Sequence, residues 1–291
     1  MKLSANTKRR HLFHGIPILP GRASYLFLSL LFGWSGLIAA VQLEQPPQTL
    51  SPDSSHSSVR ALIEQANVFA SKYFDSRAAL ALYNRALSLE SSNADLLWHI
   101  SQAYIDIGEH LPTVTDEEKQ QQLAMYEKAF EFAEKSVTAD GENSMALTRR
   151  AIALSHVCLF KGLWETVGLL KDIRSDLERA VLLDSANHLA FYALGKTHMR
   201  VTERPWILRW PLGLGWGSRS DALRFFETAV LLKRDLIEYR VECAKALIEE
   251  GEYEKARAHL LLIPGLPTQD EDDEHHRRDA RELYETIKDE D

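Results

Sequence analysis

The residues best suited to chemistry in this chain of 291 amino acids are its histidines, two cysteines and carboxylate runs, and their spacing matches no familiar catalytic or metal-binding arrangement. Cys158 and Cys243 lie far apart in helix-like apolar segments, without metal or redox spacing. Both read as small buried hydrophobes, with a disulfide between them left open. His99, His156 and His198 fall on separate expected helices. The run Asp270 to Glu274 precedes His275 and His276, but adjacent histidines do not share a helix face, and acids at a helix N-terminus suit its dipole. Gly213 to Gly217, GLGWG, follows no strand pattern, and there is no P-loop, GxSxG or HExxH. No catalytic residue, cofactor or metal is therefore assigned. What remains suits recognition: Trp98, His99 and Gln102; Arg149 with Ile152; Tyr192, Lys196 and Arg200; Glu242 and Lys245. Arg149, Lys196 and Arg200 as charge partners, with Trp98 and Tyr192 as apolar anchors, would receive a protein or peptide segment with acidic groups, or a lipid phosphate.

Such residues need a scaffold that presents them on one side. From Val59 onward apolar residues recur at three and four positions, with no run of strand alternation, so an all-α chain is expected. Asp235 to Leu262 reads as helix, turn and helix: Ala244 and Ala256 stand where two helices approach closely, Gly251 stands in the turn and Tyr253 follows it. These are the offsets of a tetratricopeptide repeat. Weaker copies precede it, marked by Ala79, Tyr83 and Ala86, then Ala129, Ala133 and Ser136, then Ala151 and Ala180, then Gly195 and Ala229. The expectation is a solenoid of about five helix pairs, in which the first helix of each pair lines a concave groove. The groove residues named above are the inward positions in that register. Trp98 and Gln102 stand where a chaperone-tail clamp would need a cation and an asparagine, which argues against that kind of ligand.

The array is irregular. Equivalent small residues lie 50 apart from Ala86 to Ser136, 44 from Ser136 to Ala180 and 49 from Ala180 to Ala229, against 34 from Ala222 to Ala256. The segments between helices are therefore expected to be enlarged in the earlier units, including GEHLPTVTDEEKQQQ before the second helix of the second unit. The oddest insertion, Thr202 to Asp221, carries Trp206, Trp210 and Trp216, half of the six tryptophans, with Arg209 among them. It could cap the solenoid, or present an aromatic and cationic patch to a membrane surface or a protein. After two prolines, Pro264 and Pro267, an acidic helix from about Asp272 would cover the open end.

Residues 1–43 have a basic start followed by the apolar run Tyr25 to Val41, the layout of either an export signal, cleaved after Ala40, or an uncleaved anchor. The first reading implies a periplasmic or secreted protein. The second implies a membrane protein with its soluble domain outside the cytoplasm. Residues 44–58 read as a Pro/Ser-rich linker, 59–267 as the solenoid and 268–291 as a capping helix and acidic tail. Five of the 34 basic and two of the 42 acidic residues precede Val59, leaving 29 against 40 for the rest, which disfavours nucleic acid as a partner.

The segments ALTRRAIALSHVCLFKGLWE, LERAVLLDSANHLAFYALGKTHMR, ERPWILRW and DALRFFETAVLLKRDLIEYRVECAKAL, within Tyr126 to Leu262, resemble the regulator of microtubule dynamics family in their order of repeat, Pro-Trp loop and repeat. The resemblance covers about half of the chain. It implies an N-terminal membrane segment, a divergent tetratricopeptide-like domain and a non-enzymatic scaffold. In eukaryotic members it implies ties to the mitochondrial membrane, microtubules or lipid handling at membrane contacts. Bacterial chains of this kind also exist, and a microtubule role does not carry over to them. A lipid-binding or lipid-transfer module at a membrane surface is the alternative to a protein-binding scaffold.

Overall fold

Asparagine recurs just before three of the expected helices, and its short carbonyl side chain can accept a bond from the otherwise orphaned first-turn amides. The computed structural model, which describes residues 52–290, shows it doing so: Asn93, Asn143 and Asn187 accept from the amides of Leu96, Ala146 and Ala190, each at 3.0 Å. The helices they start are α3 (Ala94–Glu109), α5 (Ser144–Val157) and α7 (His188–Thr202). Each packs against the helix that follows it, α3 on α4 (Asp116–Ala139), α5 on α6 (Leu163–Leu183) and α7 on α9 (Arg219–Leu232). A pair α1 (Pro52–Lys72) and α2 (Ser76–Leu87) comes before them, and α10 (Ile237–Glu249) with α11 (Tyr253–Leu262) comes after. The one-turn α8 (Trp206–Arg209) lies in the loop between α7 and α9, and α12 (Asp273–Ile287) packs across α10 and α11.

Close approach of backbones holds the array together. Ala79, Ala86, Ala129, Ala133, Ser136, Ala151, Ala180, Ala229, Ala244 and Ala256 are all completely buried, so the small residues mark helix crossings. Ser136 Oγ donates to the Ala94 carbonyl at 2.7 Å and Ser144 Oγ to that of Ala180 at 2.9 Å, tying the two helices of each pair together at their ends. Gly251 turns the chain between α10 and α11 with φ of +77°, a conformation that favours glycine.

The layout differs from the expected one in three places. The second unit is enlarged mainly by helix: Thr115 and Glu118 form a reciprocal capping box that starts α4 at Asp116, and α4 then runs for 24 residues. The third gains a 21-residue α6 rather than a long loop. At the front, α1 starts at Pro52 and takes up the end of the Pro/Ser-rich stretch. The basic N-terminus, the apolar run Tyr25 to Val41 and the first part of the linker lie outside the described residues. Among the described residues no helix is long and apolar enough to cross a membrane.

Candidate binding groove

Because consecutive helices alternate in direction, α3, α5 and α7 run the same way, with α3 beside α5 and α5 beside α7. Residues four apart on each form rows facing one side. The groove is built from those rows. Gln102 on α3 accepts from Arg149 Nη2 on α5 at 2.8 Å, and the same guanidinium sits 5.8 Å from the Trp98 ring. Trp98 lies against His99, ring centroids 3.6 Å apart, and its indole donates to Asp95 Oδ1 at 3.0 Å. Trp98 and His99 line a cleft of about 500 Å³ together with Val59, Ile63 and Asp95.

Further along, Tyr192 is buried, stacks on Tyr239 with centroids 4.4 Å apart and donates its hydroxyl hydrogen to Glu238 on α10. It forms part of the floor. Glu242 accepts from Lys196 at 3.1 Å and from Lys245 at 3.0 Å. Arg200 is exposed and makes no side-chain hydrogen bond or ion pair among the described residues. The nine sequence-derived groove residues therefore fall on neighbouring first helices, where Gln102 and Trp98 meet Arg149 across α3 and α5, Lys196 meets Glu242 across α7 and α10, and Arg200 stands apart. Carboxylates share these helix faces: Glu242 answers Lys196 and Lys245, while Arg149 meets the neutral Gln102.

Those carboxylates are what reading the sequence for cations missed. Asp106 and Glu109 on α3 and Glu238 on α10 extend the face holding Gln102 and Glu242, so the four-residue step from Gln102 to Asp106 and from Glu242 back to Glu238 could have found two of them. Burial raises the Asp106 carboxyl to about 6 against the pull of Arg149. Glu109, set deep on the inner face though its side chain is 43% exposed, is raised to about 8 by desolvation with help from the charges of Asp106 and Glu238. Burial likewise pushes His99 and His156 down to about 4, assisted by Arg149 in the first and by Lys196 and Arg200 in the second. Arg149 is itself lowered by burial, against the stabilising charges of Asp106, Tyr239 and Glu109, and its Nε is buried with no hydrogen-bond partner.

The inner face is bridged at one edge. His110, just past α3, approaches Glu271 at 3.0 Å and Asp272 at 3.5 Å, immediately before α12. That contact links the second pair to the cap, so the array curls enough for its inner side to meet itself. No local pattern announces it.

The tryptophan loop divides in two. Trp216 packs inward, with His198 edge-on at 5.1 Å and the Arg174 guanidinium 4.8 Å over its ring. Arg209 Nη1 donates to the Gly217 carbonyl at 2.8 Å, and Leu214 is wholly buried. Trp206 and Trp210 point outward instead, 73% and 80% exposed. Cys158 and Cys243 are free thiols, raised by burial to about 11 and about 12, so they are protonated and unreactive at neutral pH. Among the described residues no group of three His, Cys, Asp or Glu could hold a metal ion.

The family model described as "Regulator of microtubule dynamics protein 1-3" matches residues 62–288. The chain belongs to this family. Mouse Regulator of microtubule dynamics protein 1 is 23% identical over 230 residues, covering 77% of this chain and 74% of that protein. The Pongo abelii protein of the same name is 28% identical over 120 residues, and that match spans 41% of this chain and 37% of the relative's length. Among solved structures, a thermophilic tetratricopeptide-repeat protein of Thermus thermophilus superposes with a TM-score of 0.53 at 16% identity, over 79% of this chain and 98% of that one. At that identity the likeness concerns the fold: helix pairs packed as tetratricopeptide-like repeats.

Proposed function

We propose that this member of the regulator of microtubule dynamics family is a non-catalytic scaffold that binds a protein or peptide segment along the inner faces of α3, α5, α7 and α10. Its N-terminal apolar run would export it or hold it at a membrane. The observation that carries the reading is the Arg149 guanidinium at the centre of the groove. It is fixed by Gln102 and Trp98, yet leaves a buried Nε without a partner. A buried donor left unsatisfied is costly, and an acceptor on a bound segment would relieve it. The exposed Arg200 offers a second contact, and the cleft at Trp98 and His99, where Val59 and Ile63 lie among Arg60, Glu64 and Asp95, offers a mixed polar and apolar seat. Because Asp106, Glu109, Glu238 and Glu242 share the face, the best ligand presents isolated acceptors rather than a dense acidic run. Replacing Arg149, Lys196 and Arg200 together by alanine is expected to abolish binding of partners captured by the wild-type chain. Unchanged binding of every partner would remove the groove from the account.

A further inference from the structure

The loop between α7 and α9 ends in a tip unlike the rest of the surface. Trp206, Ile207, Leu208 and Trp210 are 73%, 63%, 51% and 80% exposed, and Pro205 and Pro211 beside them are exposed too. The tip stands on a fixed foot of buried Leu214, packed Trp216 and the bond from Arg209 to Gly217. Its apolar side chains are therefore held out in water by the fold, where contiguous large apolar groups usually mark an interaction site. Trp206, Ile207 and Leu208 are consecutive in one helical turn, so they project around the turn and not along one stripe. A rigid protein groove would cover one side of such a turn, whereas the interfacial layer of a bilayer surrounds it, and tryptophan favours that layer.

Charge selects the kind of bilayer. From Arg204 to Ser220 the chain holds Arg204, Arg209 and Arg219 and no acid, between Glu203 and Asp221; Arg209 is bonded into the foot and Arg219 pairs with Glu249 at 3.3 Å, which leaves Arg204 as the cation of the segment beside the tip. Arg200 lies in the last turn of α7, a few residues before the tip, and its charge reaches Cys158 at the end of α5, which Leu159, half-exposed, and Lys161 follow. Lys161, Arg200 and Arg204 make no side-chain ion pair among the described residues. Free cations around an apolar tip complement an anionic headgroup surface. We propose that the Trp206 to Pro211 tip inserts into the interface of an anionic bilayer, giving the domain a membrane contact separate from its N-terminal apolar run. Apart from Arg200, which both use, this stands independently of the groove reading.

The test uses the full chain reconstituted in phosphatidylcholine vesicles containing roughly one-third phosphatidylserine, an anionic surface of the kind that attracts basic segments. With Cys158 and Cys243 replaced by alanine, an environment-sensitive fluorophore is placed at Leu208→Cys. A control is placed at Leu182→Cys on α6, where the native side chain is 85% exposed. Several-fold stronger quenching by a lipid-chain quencher at 208 than at 182, lost in neutral vesicles, is expected. Arg204→Gln should weaken the tip's lipid contact about fivefold. Equal quenching of both sites by aqueous iodide would overturn the proposal. So would a label at 208 shielded from both quenchers, since that assigns the tip to a second copy or to the chain's own N-terminal run.

Discussion

Gly195→Ala isolates what holds the solenoid together. In a helix interior the change should stabilise, because alanine exceeds glycine in propensity by about 1 kcal/mol. At Gly195 the new methyl would lie 2.5, 2.6 and 2.9 Å from three ring carbons of Phe226 on α9. That ring cannot retreat easily. It is 1% exposed and wedged among Tyr192, Ala222 and Tyr239. Overpacking of a tight site costs about 1–3 kcal/mol, so the net expectation is a loss of about 0–2 kcal/mol. For a domain of this size the melting temperature should fall by up to about 8 °C. Gly168→Ala on α6 is the control: nothing lies within 4 Å of its added methyl, and the same propensity gain should appear as increased stability. Phe226→Leu should relieve the clash, giving a coupling of about 1 kcal/mol with Gly195→Ala in a double-mutant cycle read by urea unfolding. If Gly195→Ala melted as high as Gly168→Ala, the close crossing of α7 and α9 would be refuted.

Other consequences concern the polar groups. Asp106 and Glu109 have folded pKa values raised to about 6 and about 8, so the folded state binds more protons than the unfolded one above about pH 4. Their contribution is present at low pH and lost as pH rises through the folded values. His99 and His156, lowered to about 4, work in the opposite sense, but only below their ordinary value of 6.5. Urea unfolding should therefore show stability declining between about pH 6.5 and 8, and Glu109→Gln should flatten that decline. Asn187 both caps α7 and donates to Ser144 at 2.7 Å and Thr148 at 2.9 Å, while only 4% exposed. Asn187→Ala should cost about 2–3 kcal/mol in thermal or urea unfolding, more than the about 1 kcal/mol of an ordinary cap.

Short-range features were the legible ones. The pair α10 and α11 could be read from Ala244, Gly251 and Ala256, because each small residue answers a local steric demand of a crossing or a turn. The enlarged second unit was legible in length but not in kind: Thr115 and Glu118 carry a capping-box spacing that announces a helix start, and a run rich in Glu and Gln concealed it as a loop. The groove rows follow from helix periodicity. Their charge balance does not, since Arg149 meets Gln102 and Lys196 meets Glu242 only after helices distant in sequence are set side by side. The bridge from His110 to Glu271 and Asp272 depends on the accumulated rotation of the repeats, which no single segment encodes. Trp206, Trp210 and Trp216 sit in one tryptophan-rich run, and only the contacts of Trp216 with His198 and Arg174 separate the indole that is covered from the two that are not.

The most direct measurement of the central claim is site-specific photocrosslinking. A photoreactive residue at Lys196 on the inner row of α7, and another at Leu182 on α6, would be irradiated in the full chain with its bound partner. Adducts at 196, absent at 182 and lost when Arg149 is replaced by alanine, are the predicted result. Adducts at 182 with none at 196 would contradict recognition through the inner face.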